Sequence, residues 1–233
     1  MPAATLSTAP SATPAGGKGT TQTRLAVELL RQRIIEGGLP PGGKLNIALL
    51  AEEIGVSNGA VREALAVLET DALVVSEPQR GFRVSPISVE DLRHLTTARI
   101  HIEGLCLAAA MAEGGVEWES EIVAALYRLE RHAPVLHRAT PSREWTALHG
   151  EFHRTLASGC RNPWLRSMRE TLYRQGERYR LFSDQSGPKP RDAGKEHRAL
   201  VEALLARDGV RVNALLTSHL SRTAELVELG LKA

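Results

Sequence analysis

The chain has 233 residues, of which 42% are hydrophobic, and a formal net charge of +2. This length exceeds that of a typical single domain and supplies enough apolar residues for two cores. The near balance of charges excludes a general positive field as the source of any nucleic-acid affinity. No apolar run approaches the ~18 residues of a membrane span, and the N-terminus lacks the apolar core of a signal peptide, so we expect a cytoplasmic protein.

The N-terminal segment, residues 1–22, is rich in Ala, Thr, Ser, Pro and Gly and has almost no large side chains. Such a composition cannot bury enough apolar surface to order the backbone. We therefore predict a disordered tail over residues 1–22.

The stretch from Ile47 to Val75 predicts two short amphipathic helices, a tight turn between them, and a strand. Apolar residues recur at i, i+3, i+4 and i+7 in both helices, at Ile47, Leu50, Ala51 and Ile54 and again at Val61, Ala64, Leu65 and Leu68. Gly55 to Ser57 forms the turn, and the Ser57 hydroxyl suits the N-cap of the second helix. This layout is that of a helix-turn-helix.

The polar residues of the second helix point away from its apolar stripe. Ser57, Asn58, Gly59 and Arg62 all lie in its N-terminal half, which is the part of a recognition helix that reads base edges in the major groove. We therefore predict that these residues face DNA.

A β-hairpin is predicted directly after this unit. Leu73 to Val75 and Phe82 to Val84 favour strands on either side of Pro78-Gln79-Arg80-Gly81. Arg80 at the tip of this wing is a candidate for contact with a phosphate or the minor groove, and Gly81 supplies the backbone freedom of a tight turn. A plain packing role for the helix-turn-helix is the alternative, but the capped turn, the outward Arg62 and the basic wing together favour DNA binding.

Four short motifs in this region resemble the winged helix of GntR-type bacterial transcription regulators. They are GLPPGGKL at Gly38–Leu45, LAEEIGVS at Leu50–Ser57, VREAL at Val61–Leu65 and RGFRV at Arg80–Val84. The resemblance covers residues 23–86 and implies a DNA-binding domain there. The family usually has Ser-Arg-x-Pro before its Val-Arg-Glu-Ala-Leu, whereas Asn58 and Ala60 stand at the Arg and Pro positions here, and a second usual Arg is replaced by an apolar residue at or near Leu49. Arg62, Arg80 and Gly81 remain as carried-over contacts, so the operator is expected to differ from the common family consensus.

After Pro86 the sequence has helical periodicity almost throughout. Candidate breaks occur at Gly114-Gly115, Pro134, Thr140-Pro141, Asn162-Pro163, Gly187 to Pro190 and Asp208-Gly209. These breaks predict about six helices, so we expect an all-α bundle over residues 90–230 and a mainly α protein overall. No glycine-rich phosphate loop is evident, which argues against a nucleotide-binding α/β domain.

Four histidines lie on apolar helix stripes in this second region. His149 and His153 are spaced i, i+4 on one helix, and His197 and His219 each share a face with Leu and Val residues on a later helix. A buried imidazole needs a hydrogen-bond partner or a metal, and two histidines one turn apart are suited to hold one ion. A set of hydrogen-bonded core histidines is the alternative. The neighbouring carboxylates, Glu151 and Glu196, are expected to point off these faces.

Residues 90–225 also resemble the FCD effector domain, which follows the winged helix in FadR-type members of the GntR family. The resemblance depends on Arg99-x-x-x-Glu103, Phe152-His153, Asn162-Pro163, Glu196-His197 and His219-Leu220. It implies dimerisation and a metal held by His149, His153, His197 and His219, with His149 at the position where metal-binding members carry Asp. An all-imidazole set favours a transition metal, zinc or nickel first, over magnesium or calcium.

In that family the metal would anchor a small carboxylate effector. Arg99 is the expected partner of the effector's anionic end, because a guanidinium holds a carboxylate by two hydrogen bonds. Tyr173, Arg174 and Arg178 are further candidates, although a run of mixed charge such as 174–180 is more often a solvated face.

Together these patterns predict a homodimeric DNA-binding transcription regulator, more often a repressor than an activator, that binds a double-stranded operator and is controlled by a small carboxylate. A helical metalloenzyme with a histidine-bound transition metal is one alternative, but no dedicated general base or nucleophile accompanies the histidines. A DNA-binding architectural protein without an effector is another.

Overall fold

A computed structural model describes residues 18–132, 142–184 and 192–232 of the chain. Within them the protein is mainly α-helical, as predicted, with one small sheet. Residues 1–17 of the expected tail and the expected breaks at Pro134, Thr140-Pro141 and Gly187 to Pro190 lie outside the described residues.

The first helix, α1 (Lys18–Ile35), begins inside the segment that was expected to be disordered. Residues 18–22 were assigned to the disordered tail, and this part of the assignment is wrong because they are helical. Polar contacts explain the difference. The Thr23 hydroxyl donates to Glu63 over 2.7 Å, and the Gln22 side chain accepts from the Ser57 amide over 3.4 Å, so the first turns of α1 dock on the helix-turn-helix without large apolar side chains.

The predicted helix-turn-helix consists of α2 (Ile47–Ile54) and α3 (Asn58–Thr70). Asn46 caps α2 through its side chain, and Gly55 ends α2 in the left-handed conformation at φ 76°, where a residue with a Cβ would be strained. Ser57 caps α3 as predicted. Buried residues of α1, α2 and α3 form the first hydrophobic core, with Leu30, Val61 and Leu65 at its centre.

The wing contains one strand more than predicted. β2 (Val74–Glu77) and β3 (Gly81–Val84) form the expected hairpin, and β1 (Lys44–Leu45) pairs with the other edge of β3. The sheet is antiparallel in the order β1-β3-β2. A two-residue strand has no readable alternation, which is why the sequence did not indicate β1.

The second region contains six helices within the described residues, in agreement with the sequence. They are α4 (Val89–Glu113), α5 (Val116–Arg131), α6 (Arg143–Leu156), α7 (Pro163–Asp184), α8 (Ala193–Leu205) and α9 (Gly209–Lys232). Ser88 caps α4 by accepting from the Asp91 amide, and Pro163 opens α7, where its missing N–H costs nothing. A second core forms around Phe152, Leu204 and Leu216.

Helix α7 lies between the two cores and contacts both regions. It packs against α4 and α9 in the bundle, and it also contacts α1 of the winged helix. None of the helices in the described part of the chain is long and apolar enough to cross a membrane.

Candidate nucleic-acid interface and histidine centre

The N-terminal half of α3 forms an exposed polar surface. The Ser57 hydroxyl accepts from the Ala60 amide over 3.1 Å, so its own proton remains available to an external acceptor. Ser57, Asn58, Gly59 and Arg62 are all exposed. The buried stripe of α3 starts at Ala60, which turns these polar residues outward, as the sequence predicted.

The tip of the wing projects Arg80. Gln79 and Gly81 both have positive φ, at 62° and 87°, and the Arg80 amide donates to the Glu77 carbonyl over 2.9 Å, which closes the turn. Neither Arg62 nor Arg80 forms an ion pair with any residue that the structure describes. Arg83 differs, because it forms an ion pair of 2.9 Å with Glu77 within the wing. The two exposed arginines are thus free to meet DNA phosphates or base edges.

The four predicted histidines come together between three helices. His149 and His153 lie on α6, His197 on α8 and His219 on α9, and all four are buried. One ring nitrogen from each lies within 4.8 Å of those of the other three. The His149 and His153 Nε2 atoms are 3.1 Å apart.

Burial holds two of these histidines in the neutral form. The pKa of His149 lies well below its usual value because of burial and then the nearby Arg180 charge. The pKa of His153 is lowered by burial and then by His149. Neutral imidazole is the form that binds a metal. The His149 Nδ1 atom is also buried with no hydrogen-bond partner among the described residues, which is costly for a polar atom.

Glu196 corrects the sequence analysis, which expected it to point off the histidine faces. Its Oε2 atom lies 2.9 Å from Nδ1 of His219, on a different helix. This contact orients the His219 ring, as a carboxylate commonly does beside a metal-binding histidine. Glu151 does lie on the outside, where it pairs with the exposed Arg128.

A cavity of about 150 Å³ opens beside the histidines. Its polar lining includes Arg99, Glu177, Arg180 and Thr223, and Leu220, Leu226 and Val227 form an apolar wall. Arg180 grips Glu177 through two hydrogen bonds of 2.9 and 2.7 Å. Arg180 and Thr223 are not among the residues that the sequence indicates, although helical spacing places Arg180 one turn from Gly176 and Thr223 one turn from His219.

Arg99, the expected partner of the effector, reaches this cavity from α4, but it is already paired. Its Nε and Nη2 atoms lie 2.9 Å from the Glu103 carboxylate, which is itself buried. A Cβ at Gly176 would overlap the Arg99 guanidinium, so this glycine lets the arginine lie against α7. Arg99 therefore presents a charge whose position is set from two helices.

The other three effector candidates lie elsewhere. Tyr173 sits behind His153, with ring centroids 6.1 Å apart, and its hydroxyl has no hydrogen-bond partner among the described residues. Arg174 pairs with Asp71, and Arg178 donates to the carbonyl oxygens of Ser85 and Pro86. None of the three lines the cavity.

The assignment of Arg174 and Arg178 to the effector is thus not supported by their positions, since both face the winged helix. The expectation of a solvated face over 174–180 is also wrong. Gln175, Glu177, Arg178 and Tyr179 are all buried, because α7 packs between the two cores.

This combination of an exposed recognition helix, a wing and a helical second region defines a winged-helix DNA-binding transcription regulator. Residues 22–84 match the family described as bacterial regulatory proteins, gntR family, and residues 94–222 match the FCD domain. The chain belongs to the GntR family, in its FCD-containing branch. Its family and relatives are transcription regulators rather than enzymes.

Two curated relatives align over most of their length. The HTH-type transcriptional regulator BphR of Paraburkholderia xenovorans is 35% identical over 204 residues, which cover 85% of this chain and 82% of the relative. The HTH-type transcriptional repressor GlaR of Escherichia coli is 31% identical over 203 residues, which cover 85% of this chain and 92% of the relative. The fold is shared with the solved structure of E. coli McbR/YncC, at a TM-score of 0.74 and 21% identity over 89% of this chain and 97% of the other.

Proposed function

We propose that this protein is a homodimeric repressor whose operator binding is controlled by a small carboxylate effector, bound in the cavity next to a transition metal. Residues 23–86 would form the DNA-binding domain, and residues 90–230 the effector-binding and dimerisation domain, of a regulator acting in the cytoplasm. GlaR, 31% identical, is named as a repressor, which supports the sign of the regulation. A single winged helix with little net charge binds weakly alone, which supports a dimer on a pseudo-palindromic site.

The observation that supports a metal site is the convergence of four buried histidines, whose ring nitrogens lie within 4.8 Å of one another: His149, His153, His197 and His219. Two imidazole nitrogens on one zinc ion, each at about 2.1 Å, stand roughly 3 to 4 Å apart. The 3.1 Å separation of the His149 and His153 Nε2 atoms falls in that range. The four residues would hold a zinc or nickel ion, which would offer an anion a positively charged partner.

The effector site is supported by what surrounds the histidines. Arg99 and Arg180 provide guanidinium donors for a carboxylate, and the cavity of about 150 Å³ suits a small organic acid. Glu103 and Glu177 hold the two guanidiniums in place without an effector. The site would therefore be organised before the effector arrives, which lowers the entropy lost on binding.

Elemental analysis of protein purified without chelator and without affinity-tag nickel tests the metal. We expect one equivalent of a divalent transition metal, or uptake of one equivalent when zinc is added. A thermal-shift screen of small organic acids with and without zinc then tests the effector, since a true effector raises the melting temperature by mass action. Absence of both native metal and zinc uptake would show that these histidines serve the core or bind the effector directly.

The His149→Asp variant separates a ligand from a packing residue. A carboxylate at this position restores the residue type that the family carries, so we expect metal binding to persist with a preference moved toward harder ions such as manganese. Metal binding with the same affinity and the same preference as in the wild type would contradict a ligand role for residue 149.

A further inference from the structure

The C-terminal end of the recognition helix carries an acid where electrostatics disfavour one. Asp71 is the C-cap of α3, and a carboxylate at the negative end of a helix dipole is destabilising. Two guanidiniums offset this effect. The Asp71 Oδ2 atom lies 2.8 Å from Arg31 of α1 and 3.5 Å from Arg174 of α7.

The backbone at the same position is also held by α7. The last carbonyl groups of a helix have no partner inside the helix, so they need one outside it. The Gln175 side chain donates to the Asp71 carbonyl over 2.7 Å, and Gln175 is buried. Thus α7 of the effector region supplies a C-terminal cap to the helix that faces DNA.

One turn further along α7, the same helix holds the exit of the wing. Arg178 donates to the Ser85 carbonyl over 2.8 Å and to the Pro86 carbonyl over 3.2 Å. The Ser85 amide in turn donates to the Leu73 carbonyl over 3.0 Å, just after α3. The segment that runs from the end of α3 at Asp71 to the exit of the wing at Ser85 is therefore held at both ends by α7.

Charged side chains continue from this junction to the cavity. Arg174 lies 3.4 Å from Glu170, and Glu170 lies 3.3 Å from Arg169. Arg169 is buried and lies 4.0 Å from Glu103, which holds Arg99 at 2.9 Å. Carboxylates and guanidiniums alternate without a gap over 4.0 Å from the lining of the cavity to the end of the recognition helix.

We propose that Arg174, Gln175 and Asp71 are positioning residues for DNA binding: α7 sets the orientation of the recognition helix through them, and the ionic chain from Arg99 carries the state of the effector cavity to this junction. The second half of this statement depends on the proposed function, and the first half depends only on DNA binding. An anion that takes up part of the Arg99 charge leaves Glu103 to bind Arg169 more strongly, which releases Glu170 to Arg174 and weakens the contact between Arg174 and Asp71.

The test uses the full chain and an operator duplex defined by footprinting. We expect Arg174→Ala to weaken operator binding by about fivefold, which corresponds to a coupling at the lower end of the usual range. Arg174→Lys should restore most of the affinity, because it keeps the charge. Arg166→Ala is the matched control, since Arg166 is an exposed arginine on the same helix, and it should leave affinity unchanged.

A double-mutant cycle separates positioning from other effects. In the Asp71→Asn background, Arg174→Ala should change operator affinity by less than about twofold, since the two residues act through one contact. The salt dependence of binding should keep its slope in all variants, because a lost phosphate contact would lower the slope by about one. Equal effects of Arg174→Ala in both backgrounds, or a lowered slope, would overturn the proposal.

Gln175→Ala provides a second route that removes no charge. It should weaken operator binding by about threefold while leaving the circular dichroism spectrum unchanged, because one cap is lost. Unchanged affinity in both Gln175→Ala and Arg174→Ala would also overturn the proposal.

Zinc uptake is measured on the same samples. A wild-type protein that takes up no zinc would contradict the proposed function and leave the operator cycle valid, so the two failures are distinguishable.

Discussion

Arg62 on α3 and His153 on α6 are both polar residues on amphipathic helices, but their surroundings are opposite. Arg62 is exposed and makes no ion pair within the described residues, whereas His153 is buried among three other histidines. Burial lowers the pKa of His153 and so favours its neutral form. The polar surface of α3 is thus open to solvent, and the histidine centre is closed around a small space.

This difference determines which changes each region tolerates. An exposed side chain removed from α3, such as that of Arg62, leaves no cavity and no unpaired buried group, so only DNA binding should respond. A side chain removed from the histidine centre alters a packed, polar interior whose members depend on one another. Variants that reach only one of the two regions therefore measure how separate the regions are.

The largest effect is expected for His153→Ala. It removes one of the four proposed ligands, whose Nε2 atom lies 3.1 Å from Nε2 of His149. Metal affinity should therefore fall by more than about 100-fold. Competition titration with a zinc indicator measures this. His101→Ala is the control, because His101 is exposed on α4 and lies outside the cluster. Retained stoichiometric metal in His153→Ala would show that His153 is a core residue.

Arg62→Ala should affect the other region alone. We expect operator affinity to fall by about 1–3 kcal/mol, the usual range for a base or close phosphate contact, with zinc uptake unchanged. Fluorescence anisotropy with an operator duplex measures the loss, and Arg166→Ala serves as the control. An unchanged affinity would remove Arg62 from the interface.

The sequence was sufficient for features that depend on neighbouring residues. The caps at Ser57 and Ser88, Pro163 at the start of α7, and the inward spacing of His149 and His153 are local patterns, and the structure has each of them. Helix geometry alone determines where such residues point. The fold and the outward direction of the polar residues of α3 were therefore largely predictable.

Features that depend on packing between distant helices were not. Glu196 was judged only from its own helix, where it points off the His197 face, yet it meets His219 on α9. Arg174 and Arg178 are effector candidates in the sequence because they lie one turn apart on the helix after Pro163, whereas in the structure both contact the winged helix. Charge patterns along one helix cannot reveal which second helix will cover them.

Glu196→Gln is the test of such a nonlocal contact. Glutamine keeps the size and still accepts from His219, but the lost charge should lower zinc affinity by about tenfold, at the lower end of the range for such partners. Glu202→Gln is the control, because Glu202 is an exposed residue of the same helix. Equal zinc affinities for the two variants would show that Glu196 does not support a ligand.

The buried histidines should also make stability depend on pH in the metal-free protein. The pKa values of His149 and His153 are lowered by burial, so the unfolded chain binds more protons than the folded one below the unperturbed value of about 6.5. Above about pH 6.5 the histidines cost no stability, because they are neutral in both the folded and the unfolded chain. It should fall by up to about 1.4 kcal/mol per pH unit for each of these histidines as the pH drops. Urea unfolding between pH 7 and pH 5 measures the slope, and a stability that rises toward pH 5 would contradict the burial of neutral histidines.

Arg80→Ala should give the smallest effect, because Arg80 lies at an exposed wing tip and is expected to meet a phosphate. A phosphate contact carries no sequence information, so affinity should fall by about threefold both for the operator and for a random duplex of equal length, and the salt slope should fall by about one. Arg166→Ala should change neither quantity. A loss confined to the operator would instead place Arg80 in the minor groove as a reader of base edges, and it would then belong with Arg62 among the residues that determine which operator the protein selects.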